Sequence, residues 1–578
     1  MQKIIYFFSL IFLLIGCVEK RDLSINTIVA EISTTPDGLH PFNTPSSLRT
    51  YVYTFTQKSL HCTNVKTLKQ VPILIESMPD TVGDLTTFSF DLKKGITWDD
   101  GSPLTGDDIV FTIKMTICPL TNNPGLKDIY STVFEDVWVD KQNPLRVYYR
   151  TKSVHYTSKN IFREIYIQQK KFWDPKGLTD DIPIKHIDKH EFSEKEKKWF
   201  KDFNGAENNF NVTTMNGLGA YKITEFVQGS HISIVRKENH WTKGDTLMYN
   251  LSYPDKIVFK VISDKSALKL ALKSERIDVT RKISAKTLKK LEKKEYFNEN
   301  YFTDYKNMYV YYYMALNMKP DLSYQKPYFN DNRVRRAIAH LTPVDDIIDV
   351  LLKGNGSRQN TNTSSFNYRY NDTLETIRLD IDKAKKLLSE AGWKDTDGDH
   401  ILDKTFNGKQ IPFEFKISYQ SGGSSKDMVL MMMDEMKKAG VRVIPNPMDP
   451  AVFFKNALNH DFDAMIGGWI SGAVYSDPIQ LWGVSNWANK GYNFSGFGNA
   501  RSDSLIEAAN STFDEAEHVH AYKAFQEQIY NDQPYVFLFS PIKGLAVHNR
   551  FDNIQTFMET PGVFLNSLIL KDAYKKLK

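Results

Sequence analysis

The sequence predicts an α/β protein divided into more than one lobe. The first observation is an alternation late in the chain: a strand over 411–419, a helix over 425–439, a strand over 441–444, a helix over 450–458 and a strand over 461–468. A β-α-β-α-β run of this kind requires a parallel sheet with right-handed crossovers. The second is antiparallel pairing elsewhere, as between 133–139 and 145–150. The third is size: 578 residues, even without the first 16, are too many for one core, so two or three subdomains are expected.

The N-terminus has its own logic. Lys3 precedes an apolar run over 4–15 that ends in Gly16 and Cys17, the pattern of a bacterial lipoprotein signal. About a dozen apolar residues fall short of the roughly 20 that cross a bilayer. Residues 1–17 are therefore expected to act as a signal with Cys17 lipidated, which leaves the protein anchored to a membrane rather than spanning it. A net charge of +5, spread over 74 basic and 69 acidic residues, argues for no nucleic-acid partner. Cys62 and Cys118 are too few for a disulfide scaffold or a four-cysteine metal site, and their spacing leaves open whether they pair. Aromatic residues make up 13%, consistent with large cores and an aromatic-lined pocket.

Along the chain, 25–33 alternates as a strand and ends in a turn at Thr34, Thr35, Pro36, Asp37 and Gly38, followed by His40, Pro41 and Phe42. Residues 88–113 give an alternating strand, a turn at Gly95, a loop from Trp98 to Pro103 and a helix opening at Thr105 to Asp108. Residues 189–202 carry mixed charge and read as a solvated helix. His186 and His190 stand four apart, the spacing of two imidazoles on one helical face, but no clear third ligand follows. A hairpin is expected around Gly229 and Ser230, and the pair Gly217 and Gly219 lacks the third glycine of a dinucleotide fingerprint. Ser284 is a candidate cap for a helix reaching 294. Asp380 is a candidate cap for a helix with its apolar stripe at Ile381, Ala384, Leu387, Leu388 and Ala391, ended by Gly392. Met428, Met431, Met432 and Met436 fall at helical spacing and read as core.

In open α/β sheets ligands sit beyond the carboxyl ends of the strands. The last strand of the alternating unit ends at Trp469, and the stretch 470–482 that follows is small, aromatic and polar by turns, which makes it the best ligand-loop candidate.

Five blocks resemble, in order, the extracellular solute-binding proteins of the peptide/nickel ABC-importer class: the signature at 88–113, the segment 165–177, the hairpin block 217–245, the Asn317 and Arg333 block at 311–356, and the helix 380–392 with the loop after Trp469. The resemblance implies a bilobed periplasmic-binding-protein-like fold of type II with an extra inserted lobe. Its expected parts are a discontinuous first lobe (18–58, 213–302 and 511–578), an inserted second lobe (59–212) and a third lobe (303–510), with hinge strands near 302 and 510. It implies capture of oligopeptides or dipeptides between the first and third lobes and delivery to permease subunits of an ABC importer. The protein is then a monomer outside the inner membrane, in the periplasm or on the envelope exterior, held to the bilayer through Cys17.

For the site, the first lobe is expected to offer Thr34, Thr35 and His40, and the third Asn317, Trp469, Tyr475, Asp477 and Trp482. The resemblance also carries a departure. Many peptide binders hold the ligand ammonium with an acid just before the tyrosine, and here that position is Val474. A buried ammonium without a counter-charge costs several kcal/mol. Either Asp477 turns inward, or the ligand is another solute such as a nickel chelate, haem or an oligosaccharide. The arginines after Asn332 are expected to make ion pairs within their lobe.

Asp395, Asp397, Asp399 and Asp403 resemble a calcium loop, but glycine stands at the fourth position instead of the sixth and no glutamate closes it, so no metal is assigned. No Gly-x-Ser-x-Gly elbow, His-Glu-x-x-His or Walker loop occurs, so no catalytic residue and no cofactor are expected, and a tethered enzyme or sensor is the weakest alternative.

Overall fold

The computed structural model describes residues 21–42, 46–422, 424–488 and 491–576. Cys17 and the rest of the signal segment lie outside the described residues. Among the described residues, the first body is an eight-stranded sheet that gathers strands from both ends and the middle of the chain. Thr27–Ile32 lies parallel to Lys256–Val261, which pairs antiparallel with His231–Arg236 and so leads to Tyr221–Val227. On its other side stand Val279–Ser284, Phe539–His548 and Tyr301–Asn307. The strand Thr27–Ile32 buries every second residue, and Ile28, Ala30 and Ile32 enter the core while the alternate side chains stay half-buried.

The inserted body is a four-stranded antiparallel sheet, Asp80–Val82, Asp84–Asp91, Arg146–Thr151 and Phe134–Val139, covered by the helix Gly106–Ile117. Its signature loop is structural. Trp98 is buried and its indole donates to Asp108 Oδ2 at 3.2 Å, while Asp108 also completes the capping box of Thr105. The inserted body joins the first where Gly217 and Gly219 press against the helix Ser47–Thr56. A Cβ there would stand 2.3 Å from the carbonyl oxygens of Thr56 and Phe55 respectively, so only glycine fits.

The third body holds the predicted alternation. Glu414–Gln420 is parallel to Arg442–Met448 and to Ala464–Ile470, with the helices Ser425–Lys437 and Pro450–Leu458 as crossovers. Val310–Leu316 and Tyr535–Phe537 extend this sheet antiparallel. Met428, Met432 and Met436 are buried in its core and Met431 packs against it, as their spacing predicts.

Four expectations are revised. The predicted strand over 411–419 is two: Lys409–Pro412 pairs with Asp403–Phe406, and only Glu414–Gln420 enters the main sheet. Pro412, which has no amide donor, sits at the break. Ser193 and Glu196 form a capping box that starts the charged helix at Glu194, so His186 and His190 share no helical face, and His190 instead meets Glu196 at 3.1 Å. Arg335 donates to the carbonyls of Phe329, Asn330 and Asp532 rather than to a carboxylate, whereas Arg333 does pair with Asp331. Finally, the return crossing falls at Leu538, between Tyr535–Phe537 in the third sheet and Phe539–His548 in the first, and not near 510. The helix Glu515–Asp532 packs Phe525 and Ile529 into the third body's core, which carries 511–537 with it.

Candidate functional site

The strand Ala464–Ile470 ends on the same side of the sheet as its parallel neighbour Glu414–Gln420, and the chain there turns through Gly472 at φ +64°. Three bonds fix the loop that follows. Ser471 N–H donates to Tyr309 O at 2.9 Å, Asn367 Nδ2 donates to Ala473 O at 3.0 Å, and Ala473 N–H donates to Glu559 Oε2 at 3.1 Å. Tyr475 is buried, donates to Asn510 Oδ1 at 2.6 Å and meets His518 edge-on with 4.4 Å between ring centres.

This loop walls a cavity of about 40 Å³. Trp469, Tyr475, Asp477 and Trp482 of the expected residues line it. Arg369 and Ser471 line it too. The other expected residues do not. His40 is fully buried between Trp173 and Phe203, with ring centres at 5.2 and 4.9 Å, and burial, with help from Arg49, pushes it down to about 4. Thr35 is buried and accepts from Gly229 N–H at 3.1 Å, while Thr34 sits beside it and bonds Thr35 O. Asn317 is buried under the third sheet, where its Nδ2 donates to His460 O and Phe462 O. His40, Thr35 and Asn317 are taken up by packing and backbone bonds, and Thr34 is exposed, so none of the four presents a group to the cavity.

Asp477 is the charged group of the loop. Its Oδ2 lies 3.1 Å from His155 Nε2 of the inserted body and its Oδ1 accepts from Ile479 N–H at 2.9 Å. Burial pushes the Asp477 carboxyl up, but these bonds outweigh it and hold the group below the usual carboxylate range. Opposite stands Arg369, 5% exposed, with its guanidinium 4.2 Å from the centre of the Tyr368 ring and its Nη2 donating to Tyr156 OH at 2.8 Å. Glu515 Oε1 lies 3.3 Å from the same Nη2. Sequence reasoning did not select Arg369 or His155, because both lie in polar stretches without periodicity and reach the loop only through tertiary contacts.

Three of the four loop carboxylates, Asp395, Asp397 and Asp403, bring oxygens within 4.8 Å of one another, whereas Asp399 stands apart from that group. Their oxygens accept from amides of the same turn, as Asp395 does from Gly398 and His400 and Asp397 does from Asp399. Cys62 and Cys118 are both free thiols, pushed up to about 12 by burial. Among the described residues no helix is long and apolar enough to cross a membrane.

Two α/β bodies linked by two strand crossings, with a polar and aromatic cavity beneath the loop of a parallel strand, fit the architecture of a solute-binding protein. The comparisons with known proteins agree. The family described as bacterial extracellular solute-binding proteins, family 5 Middle, matches residues 69–492, and the chain belongs to that family. The oligopeptide-binding protein AppA of Bacillus subtilis is 27% identical over 512 residues, covering 88% of this chain and 84% of AppA. The structure of AppA in complex with a nonapeptide superposes with a TM-score of 0.71 at 24% identity, over 94% of this chain and 99% of that one. NikA of Brucella suis in complex with Fe(III)-EDTA shares the fold at a TM-score of 0.74 and 18% identity, over 94% of this chain and all of that one.

Proposed function

We propose that the protein captures oligopeptides or dipeptides between its bodies and delivers them to the permease of an ABC importer. The observation that carries this reading is the closure of the ligand loop by both other bodies at once, through His155 on Asp477 and Glu559 on Ala473. A ligand that touches several bodies stabilises their closed arrangement by population shift. The similarity to AppA over most of both chains supports a peptide as the ligand. Trp469, Tyr475, Asp477 and Trp482 are the proposed contacts, with the peptide backbone lying along strand edges and its side chains in hydrated pockets. The working form is a monomer tethered outside the inner membrane through acylated Cys17.

Val474 favours a second reading, a non-peptide solute in the same receptor, because it leaves the usual ammonium position without an acid. Native mass spectrometry of the protein as purified from cells, followed by denaturing release, tests both. A ladder of small masses spaced by amino-acid residues supports the peptide reading. A single non-peptide mass overturns it in favour of the second.

A further inference from the structure

The cavity beneath the loop is rich in donors that lack acceptors. Arg369, Ser471 and Trp482 all line it, and the Nε of Arg369, the Oγ of Ser471 and the Nε1 of Trp482 are buried atoms with no hydrogen-bond partner among the described residues. Arg369 is 5% exposed and Trp482 is fully buried. A buried donor left unpaired costs about 1–3 kcal/mol, and native structures keep few of them. Three around one small space mark a place that an acceptor-rich group completes.

The space suits a compact polar unit: one water needs roughly 10–15 Å³ and the cavity measures about 40 Å³. A carboxylate is such a unit, and it offers about four acceptor sites without a donor. An ammonium group offers only donors, and it would leave the guanidinium, indole and hydroxyl protons still unpaired.

The nearby acids do not fill this role. Asp477 lines the cavity with its Oδ2 bonded to His155 and its Oδ1 to the Ile479 amide, and it makes no bond to the three donors. Glu515 meets Arg369 at Nη2 only, accepts from the hydroxyls of Tyr156 and Tyr368, and has a half-exposed side chain. Val474 stands where an acid would meet a ligand ammonium, and Asp477, the acid that the loop keeps, is already paired with His155.

We propose that this cavity is a carboxylate-binding subsite in which Arg369, Ser471 and Trp482 receive a carboxylate of the ligand. The identity of that ligand as a peptide rests on the function proposed above; the charge preference does not. The carboxylate comes from the C-terminus of the peptide or from an acidic side chain, and the two sources share the same chemistry.

Calorimetric titration of the whole soluble protein with tetra-alanine, its C-terminal amide, the amide of Ala-Asp-Ala-Ala, and succinate tests the subsite. The expected result is binding of tetra-alanine at least about tenfold tighter than its amide, with Arg369→Gln erasing the difference. Recovery of tight binding by the aspartate-bearing amide assigns the side-chain source, and its absence assigns the C-terminus. Trp482→Phe, which keeps the ring and drops one donor, should narrow the gap about threefold and serves if Arg369→Gln does not fold. Equal affinity for the three peptides, or an unchanged preference in both variants, overturns the subsite while leaving the peptide reading in place. Binding of succinate but of no peptide, lost in Arg369→Gln, keeps the subsite and overturns the peptide reading. Binding of none of the four overturns both.

Discussion

His155 Nε2 lies 3.1 Å from Asp477 Oδ2 and ties the inserted body to the ligand loop across 322 residues of chain. The other nitrogen of the ring, Nδ1, accepts from Thr157 N–H at 3.2 Å, so the proton stands on Nε2 and the neutral ring donates to the carboxylate.

Removing that donor with His155→Phe should weaken ligand binding about five- to tenfold, near 1 kcal/mol, because the bond exists only when the bodies meet. Asp477 is held below its ordinary value, so its contribution is complete above about pH 4 and is lost only as pH falls through the lower folded value. Affinity measured by titration should therefore lose the carboxylate's contribution only as pH falls below about 4.

Gly219→Ala should lower stability by about 2–4 kcal/mol, since the new Cβ would meet a backbone carbonyl at 2.3 Å and neither strand nor helix can retreat cheaply. The shift of the urea midpoint reads this; Gly229→Ala is no neutral control, because its own φ of +71° strains an alanine.

Burial, then the neighbouring Arg49, lowers His40 from 6.5 to about 4. The unfolded chain then binds a proton that the folded chain refuses. Stability is complete above about pH 6.5 and declines as pH falls toward 4, by about 3 kcal/mol for this residue. His61, also lowered to about 4, adds in the same direction. His40→Gln should flatten the dependence of the denaturation midpoint on pH between 6.5 and 4.

Glu559 works with the opposite sign. Burial raises its carboxyl above the usual value, and the amides of Thr560 and Ala473 offset this only in part. The folded state thus holds the proton more tightly, and ionisation at rising pH costs stability. Glu559→Gln, which can still accept from Ala473 N–H, should stabilise the protein by about 1 kcal/mol at pH 8 and less at pH 5 in matched urea titrations.

Much of this architecture is legible before any coordinates. The parallel unit follows from the alternation of strand and helix, and the helix Ile381–Glu390 begins where Asp380 caps it. Pro450–Leu458 occupies the range that its pattern predicts, with Asp449 as the cap. The loop after Trp469 is legible as a cavity wall because strand ends in parallel sheets diverge there. These are local signals, written in periods of two or 3.6 residues and in capping chemistry.

His40, Thr35 and Asn317 are polar residues at plausible positions, yet each is consumed by packing, which no local pattern reports. Arg369 shows the converse. It lies in an aperiodic stretch of asparagines, serines and tyrosines, and becomes a cavity residue only because Tyr156, 213 residues away, orients its guanidinium. The sequence by itself determined the class of fold, the parallel unit and the loop that walls the cavity, since hydrophobic period and capping act over a few residues. The tertiary structure alone decided which charged groups face the cavity and which are already paired, because those pairings join segments hundreds of residues apart and depend on how the bodies close.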